Sequence, residues 1–193
     1  EWGRMVRNEI TKSQHMLSFT LSEDSKAANR WNTSAGGGMM TAGIGGDITG
    51  RGADCLVVDD PIKNNEEASS FTMREKVWAW WRGTARTRDE PGGVVFVVQT
   101  RWNEDDLAGR LIADVGAEEP WNVINLPAIY GKWDPKSKLY GPSPIPDPLG
   151  RKPGQALWPA RYDEKALAQL QHDVGAEDWF SLYQGVPARQ AGK

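Results

Sequence analysis

The chain has 193 residues, of which 39% are hydrophobic and 25% charged, so it can bury a sizeable core and is not a disordered chain. No apolar run approaches the roughly 18 residues of a membrane span, and the single cysteine excludes a disulfide framework and favours a cytosolic setting. The net charge of -3 excludes a generic polycation, so any contact with DNA or RNA must come from a local patch.

The first residues predict a helix and then short strands. Residues 4–13 have apolar side chains at helical spacing, and residues 16–21 alternate as a half-buried strand does, with a turn expected at 22–25. Residues 30–42 contain a glycine run that predicts a hairpin. The chain begins at Glu1 rather than at methionine and has 10 tryptophans, so we expect a piece of a longer protein, the alternative being a complete protein trimmed of a tag.

A glycine-rich stretch then leads into an apolar strand that ends in two acids. Residues 55–58 read Cys-Leu-Val-Val, which predicts a strand buried on both faces, as in a parallel sheet. Asp59 and Asp60 follow, and Pro61 ends the strand. Acids at this end of a parallel strand lie where α/β sheets bind ligands, and Mg²⁺ binds carboxylates together with water and phosphate. We therefore expect a cation site here.

One long helix is predicted over residues 66–88, with Ser69 or Ser70 as its N-terminal cap. Its expected core face consists of Phe71, Val77, Trp78, Trp81 and Ala85. Residues 74–88 contain five basic side chains and one acidic one, a local charge of +4. This charge is typical of the solvated face of a surface helix, and the alternative is a contact with DNA or with a neighbouring subunit.

A second apolar strand is predicted at residues 94–98, and it also ends in polar side chains, Gln99, Thr100 and Arg101. Two strands joined by a helix imply a parallel pair, so the ends of both strands meet at one edge of the sheet.

The remainder predicts a helix at 104–114, a strand at 121–126, and two helices at 163–174 and 177–184. Residues 131–160 carry seven of the 12 prolines and predict an irregular surface loop. The expected fold class is α/β, a mostly parallel sheet flanked by helices, with a small helical annex at the C-terminus.

Several runs of residues occur in a particular order along the chain. They are GR at 3–4, VR at 6–7, GG at 45–46, TGRGAD at 49–54, LVVDDP at 56–61 with Lys63, QTRWNEDDLAGRL at 99–111, ALWP at 156–159 and SLYQ at 181–184. Singly each is weak, but together they resemble the large terminase subunit of tailed bacteriophages, and the resemblance covers nearly the whole chain.

That family is a DNA-packaging motor in which an ATPase of P-loop type precedes a nuclease of ribonuclease-H-like fold. The resemblance implies that residues 1–130 are a partial P-loop-NTPase-like core, residues 131–187 a proline-rich loop with a lid-like annex, and residues 188–193 a linker towards the nuclease. The phosphate-binding loop, G-x-x-x-x-G-K-[ST], does not occur in this sequence. The family places that loop and the first strand before Glu1, so we expect these residues alone to hydrolyse ATP barely.

The resemblance also implies cofactors and partners. The cofactors are ATP and Mg²⁺. The partners are double-stranded DNA, the portal protein and the small terminase subunit, with the motor forming a homo-oligomeric ring on the procapsid. The expected location is the cytoplasm of the infected or lysogenic bacterial host, not a membrane and not the mature virion.

By the same resemblance, Asp59 is the ligand of the Mg²⁺–water group, and Asp60 is the carboxylate that orients the attacking water. Related ATPases commonly have a glutamate at the latter position, and aspartate is one methylene shorter. Thr100, with Gln99, occupies the coupling motif that senses the γ-phosphate, which lies within reach of a hydroxyl. The alternatives are structural: an acidic turn or cap for the two aspartates, and a strand-ending residue for Thr100.

Two arginines are candidate phosphate ligands. Arg51 lies between two glycines, which leave it free to act as an arginine finger, and the alternative is a surface arginine on a turn. Arg101 is the weaker candidate, its alternative being an ion pair with Glu104 or Asp105.

Other residues are interpreted structurally. Asp105 and Asp106 lie in the first turn of a predicted helix, where the helix dipole favours acids, so a second metal pair is not expected. Gly45, Gly46, Gly50 and Gly52 precede a strand rather than a helix, which indicates turns and not a phosphate loop. His15 and His172 are isolated in the sequence, and no metal role is expected for either.

Two other functions stay open. One is a metal-dependent nuclease built on Asp54, Asp59 and Asp60, although residues five apart on a strand point to opposite faces. The other is a non-catalytic prophage remnant or interaction module whose basic helix binds DNA or a partner.

Overall fold

The structure is a computed structural model and describes residues 2–46, 48, 50–114 and 121–187, with the backbone alone at 24–26. The chain divides into two compact units, Glu1–Arg51 and Gly52–Lys193. Residues 131–187 belong to the second unit together with the strands and helices before them, and the expected division at residue 131 stays a prediction. The predicted linker at 188–193 lies outside the described residues.

The first unit combines one helix with an antiparallel sheet in the order β1-β2-β3. The elements are α1 (Trp2–Ser13), β1 (Leu21–Lys26), β2 (Arg30–Thr33) and β3 (Gly38–Met40). The buried Trp31 indole donates from Nε1 to the Gly3 carbonyl oxygen at 3.0 Å. A Cβ on Gly3 would lie 2.6 Å from the carbonyl oxygen of Ala28, so only glycine lets the helix approach this closely.

The predicted helix and hairpin of the first unit are confirmed, but its first strand is misplaced. Gln14–Met16 form a 3₁₀ turn, and β1 begins at Leu21, so the expected strand at 16–21 and the expected turn at 22–25 are wrong. Leu21 pairs opposite Thr33 on β2. Backbone pairing with β2 therefore defines this polar strand, and the side-chain pattern does not reveal it.

The second unit contains the predicted strand–helix–strand arrangement. Strands β4 (Ala53–Asp59) and β5 (Asp89–Val98) are parallel, with Asp59 opposite Val98, so their carboxyl ends are level. Helices α2 (Asn65–Ser69) and α3 (Phe71–Trp80) connect them, followed by a π-helical turn and a 3₁₀ turn over residues 81–88. The mixed α/β class and the parallel pairing of the two apolar strands are confirmed.

The prediction that this strand pair is buried on both faces is wrong. Val57 and Phe96 lie opposite each other and are 57% and 54% exposed, whereas the adjacent Val58 is 4% exposed. Successive side chains of a strand point to opposite faces, so one face is buried and the other is open. A continuous apolar run does not alternate, and the sequence therefore does not distinguish the two faces.

The long helix predicted at 66–88 is broken at Ser70. The backbone of Ser70 is extended, and its hydroxyl accepts a hydrogen bond from the Met73 amide at 3.3 Å, which confirms the capping prediction for Ser70. Val77 and Trp81 are buried as expected. Phe71, placed on the core face by its spacing, is exposed because it lies in the first turn directly after the break.

The rest of the second unit departs from the predicted elements at several places. The proline-rich stretch contains a short antiparallel hairpin. Residues 121–126 alternate between apolar and polar side chains but form no strand, because no partner strand lies beside them in the described residues. The remaining elements are α4 (Leu107–Ala113), β6 (Lys132–Asp134), β7 (Leu139–Gly141), α5 (Glu164–Asp178) and a π-helical turn (Trp179–Tyr183).

The annex has its own apolar core, formed by Ile129, Ala156, Leu167 and Trp179, all buried. Asp163 caps α5 as predicted, since its carboxylate accepts from the Ala166 amide at 2.8 Å. The two helices expected at 163–174 and 177–184 run together as α5 and the π-helical turn, with a non-helical kink at Gly175. Among the described helices, none is both long and apolar enough to cross a membrane.

Candidate functional site at the ends of two parallel strands

The sequence-predicted polar residues meet in a cleft at the carboxyl ends of β4 and β5. The cleft has a volume of about 300 Å³. Four predicted site residues line it: Asp60, Gln99, Thr100 and Arg101. They come together because the strands are parallel and in register, so the residues that follow Asp59 and Val98 emerge side by side.

Asp60 is attached to the neighbouring strand through both its backbone and its side chain. Its amide donates to the Val98 carbonyl oxygen at 2.9 Å, and its Oδ1 accepts from the Thr100 amide at 2.9 Å. Its φ of 38° lies in the left-handed region, which aspartate tolerates better than most residues. The chain therefore leaves β4 in an unusual backbone conformation that directs the carboxylate to the end of β5.

Asp59 is the last residue of β4, and its side chain is exposed beside the cleft residue Asp60. An exposed carboxylate at the end of a parallel strand has oxygens available for a hard cation. Asp59 is not among the residues that line the cleft, and its role as a metal ligand stays a prediction.

Gln99 contributes a buried acceptor that is unsatisfied within the described part of the chain. Its side-chain Oε1 is shielded from solvent and has no hydrogen-bond donor there. A buried acceptor without a donor costs about 1–3 kcal/mol. Gln99 lines the cleft, but this oxygen is shielded, so a ligand or water in the cleft could donate to it only after the side chain rotates.

Arg101 lines the same cleft and is held by a buried acid. Its Nε donates to both carboxylate oxygens of Asp106, at 3.1 and 2.9 Å. The Asp106 side chain is 2% exposed and also caps α4, accepting from the Gly109 amide at 2.8 Å. The ion pair that the sequence offers as an alternative thus exists, with Asp106 rather than Glu104 or Asp105 as the partner.

Asp105 belongs to a separate ion-pair network between α3 and α4. It accepts from Arg110 Nε at 2.8 Å and from Arg74 Nε at 3.1 Å, and Arg110 also donates to Glu75. The hydrogen bonds from Arg110 hold the pKa of Asp105 below its usual value, despite some desolvation. The expectation that both acids lie in the first turn of a helix beginning at residue 104 is wrong, since α4 begins at Leu107, Asp106 is its N-terminal cap and Asp105 precedes it.

Two of the five basic side chains at residues 74–88 form ion pairs within the protein. Arg74, whose side chain is 12% exposed, is paired with Asp105, and Arg86 is paired with Asp89. Lys76 and Arg82 are exposed. Part of the positive charge counted from the sequence therefore stabilises the fold, and a DNA contact at this helix stays a prediction.

Arg51 is exposed and is the last residue of the first unit. The neighbouring Gly50 has a φ of 76°, a conformation that favours glycine and agrees with the turn interpretation. The arginine-finger role of Arg51 stays a prediction.

The structure adds residues to the cleft that sequence reasoning did not assign to the site. They come from the loop after α4 and from the annex: Asn125, Leu126, Ser181, Leu182, Tyr183 and Gly185. Asn125 Nδ2 donates to the Gln184 carbonyl oxygen at 3.1 Å, which ties the loop to the annex. The SLYQ run was visible as part of the family resemblance, but nothing in the local pattern places it at the strand ends.

The nuclease alternative receives little support from the geometry. Asp54 and Asp59 lie near opposite ends of β4, which at about 3.3 Å per residue separates them by roughly 16 Å. A two-metal site needs carboxylates that converge on ions about 4 Å apart. In the described ranges, no group of three or more His, Cys, Asp or Glu side chains could hold a metal ion.

No family model matches this chain. No curated protein matches it either.

Proposed function

We propose that the chain is the ATP-hydrolysing motor portion of a phage terminase large subunit, which powers the packaging of double-stranded DNA into the capsid. The proposal rests on the ordered set of motifs that resembles this family and on the position of their polar residues. The observation that carries it is the cleft at the ends of β4 and β5, where the predicted Asp60, Gln99 and Thr100 lie together.

The proposed cofactors are ATP and Mg²⁺. Asp59 is the residue that would hold Mg²⁺, since its exposed carboxylate is the hard oxygen ligand that this ion prefers. Once its side chain rotates, the unsatisfied Gln99 Oε1 is an acceptor for a bound water or a donor group of the ligand. When bound, Mg²⁺ neutralises charge on the phosphate oxygens.

Asp60 is placed to orient a water molecule. One of its oxygens is held by the Thr100 amide, and this fixes the plane of the carboxylate so that the other oxygen is available to a water in the cleft. Thr100 lines the same cleft, and a hydroxyl can donate to a phosphate oxygen. In this proposal, a change of ligand at Thr100 is passed to Asp60 through the hydrogen bond from the Thr100 amide, and this is the coupling role of Thr100.

Arg101 and Arg51 are the proposed cationic contacts. Arg101 lines the cleft, and the Asp106 pair fixes its guanidinium, so it is pre-oriented for an anionic ligand. Arg51 acts as the finger towards phosphate in its own or a neighbouring subunit. DNA, the portal protein, the small subunit and a ring of identical subunits are the partners that the proposed function implies.

The test is steady-state ATP turnover with Mg²⁺ by the whole gene product that carries these residues. We expect Asp59→Asn and Asp60→Asn each to lower kcat by about 100-fold or more. Asp54→Asn is the matched control, since it makes the same chemical change in an exposed side chain near the start of β4, and it should leave turnover unchanged.

Equal turnover in wild type and Asp59→Asn would contradict the proposal, as would the absence of turnover in the wild type. Plasmid nicking with Mn²⁺ that is lost in Asp59→Asn would indicate the nuclease alternative instead.

A further inference from the structure

A buried glutamine holds the annex segment that reaches the cleft. Gln184 is 4% exposed. Its Oε1 accepts from the Ile129 amide at 3.2 Å, and its Nε2 donates to the Tyr140 hydroxyl at 2.7 Å. The residues on either side of it in the chain, Tyr183 and Gly185, line the cleft.

The direction of these hydrogen bonds follows from the chemistry of the partners. A backbone N–H can only donate, so the Gln184 oxygen must face Ile129 and the Gln184 NH₂ must face Tyr140. The Trp179 indole is also a donor only, and its Nε1 lies 2.9 Å from the same hydroxyl. Tyr140 therefore accepts both bonds, and neither of them uses its own proton.

The Tyr140 hydroxyl thus joins β7 to two residues of the annex. Further bonds hold the same segment: the Ala128 amide donates to the Tyr183 carbonyl oxygen at 2.7 Å, and Asn125 donates to the Gln184 carbonyl oxygen. Ser181, 4% exposed, lines the cleft one helical turn before this attachment.

We propose that Tyr140 is a positioning residue of the cleft, acting through Gln184 to hold Ser181 and Tyr183 beside Asp60 and Thr100. Tyr140 itself does not line the cleft. The inference rests on the proposed function, since it assigns the annex segment to the site of ATP hydrolysis. A displacement of about 1 Å at a catalytic site lowers the rate by roughly 100-fold, so loss of this support should be visible in turnover.

The test compares substitutions of Tyr140 and Tyr130 in the whole gene product. Tyr140→Phe removes the acceptor for Gln184 and Trp179. Tyr130→Phe is the matched control, because the Tyr130 hydroxyl donates at 2.9 Å to the Ile145 carbonyl oxygen in the proline-rich loop and not to Gln184 or Trp179. We expect Tyr140→Phe to lower kcat for ATP about tenfold or more with KM within about twofold, and Tyr130→Phe to leave both unchanged. Tyr140→Phe should lower Tm more than Tyr130→Phe, since it leaves the donors of the buried Gln184 and Trp179 without an acceptor, whereas Tyr130→Phe loses one exposed hydrogen bond.

A second pair of variants covers the case in which Tyr140→Phe does not fold. Gln184→Glu keeps an oxygen for the Ile129 amide, and because burial favours the neutral form of a carboxyl, its OH can donate to Tyr140 as the amide did, so kcat should stay within about threefold of wild type. Gln184→Ala removes both bonds and should reproduce the loss of kcat in Tyr140→Phe.

The possible results separate this inference from the proposed function. Absence of turnover in the wild type rejects both. Normal turnover in the wild type with equal kcat in Tyr140→Phe and Tyr130→Phe, or in Gln184→Glu and Gln184→Ala, rejects the positioning role alone.

Discussion

The Thr100 amide donates to Oδ1 of Asp60 at 2.9 Å, joining two residues that are 40 apart in the sequence. Asp60 in turn donates from its amide to Val98, so the first residue after β4 is bonded to the end of β5 on both sides of Gln99. This arrangement converts two separate strand ends into one wall of the cleft. The Asp60 carboxylate therefore has a structural role, accepting the hydrogen bond from the Thr100 amide, in addition to its proposed role in orienting water. Substitutions can separate these two roles.

Asp60→Asn keeps an oxygen for the Thr100 amide, whereas Asp60→Ala removes it. We expect Asp60→Ala to lower the free energy of unfolding by about 1 kcal/mol through the lost hydrogen bond, and Asp60→Asn to change it by less. Both variants should lose ATP turnover, since neither has a carboxylate. Urea denaturation and turnover measured on the same samples check this, and a stable, fully active Asp60→Ala would contradict both roles.

The open face of the strand pair makes a prediction about two neighbouring valines. Val57→Thr places a hydroxyl on the exposed face and should change the free energy of unfolding by less than about 0.5 kcal/mol. Val58→Thr places the same group at a site that is 4% exposed and should cost about 1–3 kcal/mol. Chemical denaturation of the two variants gives the comparison. An equal cost at both sites would mean that the face of Val57 is covered in the protein in solution.

Asp106 combines a helix cap with a buried ion pair. Asp163 provides the matched cap, with no basic partner in the part of the chain that the structure describes. Asp163→Ala should cost about 1 kcal/mol of unfolding free energy, the usual effect of losing an N-cap. Asp106→Ala should cost about 3 kcal/mol or more, because it also leaves the partly buried Arg101 without its partner. The difference between the two variants in urea denaturation measures the ion pair. A difference near zero would show that Arg101 finds another partner or solvent.

Asp105 should contribute to the loss of stability in acid. The Arg110 hydrogen bonds lower the pKa of Asp105 in the folded state, so its contribution to stability is fully present above the unfolded-state pKa of about 3.9 and is lost as the pH falls through the lowered folded-state pKa. Asp105→Asn lacks this titration, and its unfolding free energy should fall less steeply below about pH 4. Denaturation at a series of pH values down to about pH 2.5 compares the slopes, and identical slopes would contradict the assignment.

The predictions that the structure confirms are those for which the interacting residues, or the connection between them, could be identified in a short stretch of sequence. The caps at Ser70 and Asp163 could be predicted because a side-chain oxygen three residues before an amide is a local feature. The parallel pairing of β4 and β5 followed from a helical connection between two apolar strands. The alternation of apolar and polar side chains at residues 121–126 predicted a strand that does not form, because such a segment becomes a strand only when a partner strand lies beside it.

The sequence by itself determined that Asp60, Gln99, Thr100 and Arg101 would lie near one another, since parallel strands present their carboxyl ends at the same edge of a sheet. The tertiary structure alone decided two further features. It left one face of the strand pair open, which a continuous apolar run does not reveal. It also placed residues 181–185 at the cleft, because the hydrogen bond from Gln184 to Tyr140 joins residues 44 apart, and no local pattern encodes a contact of that separation.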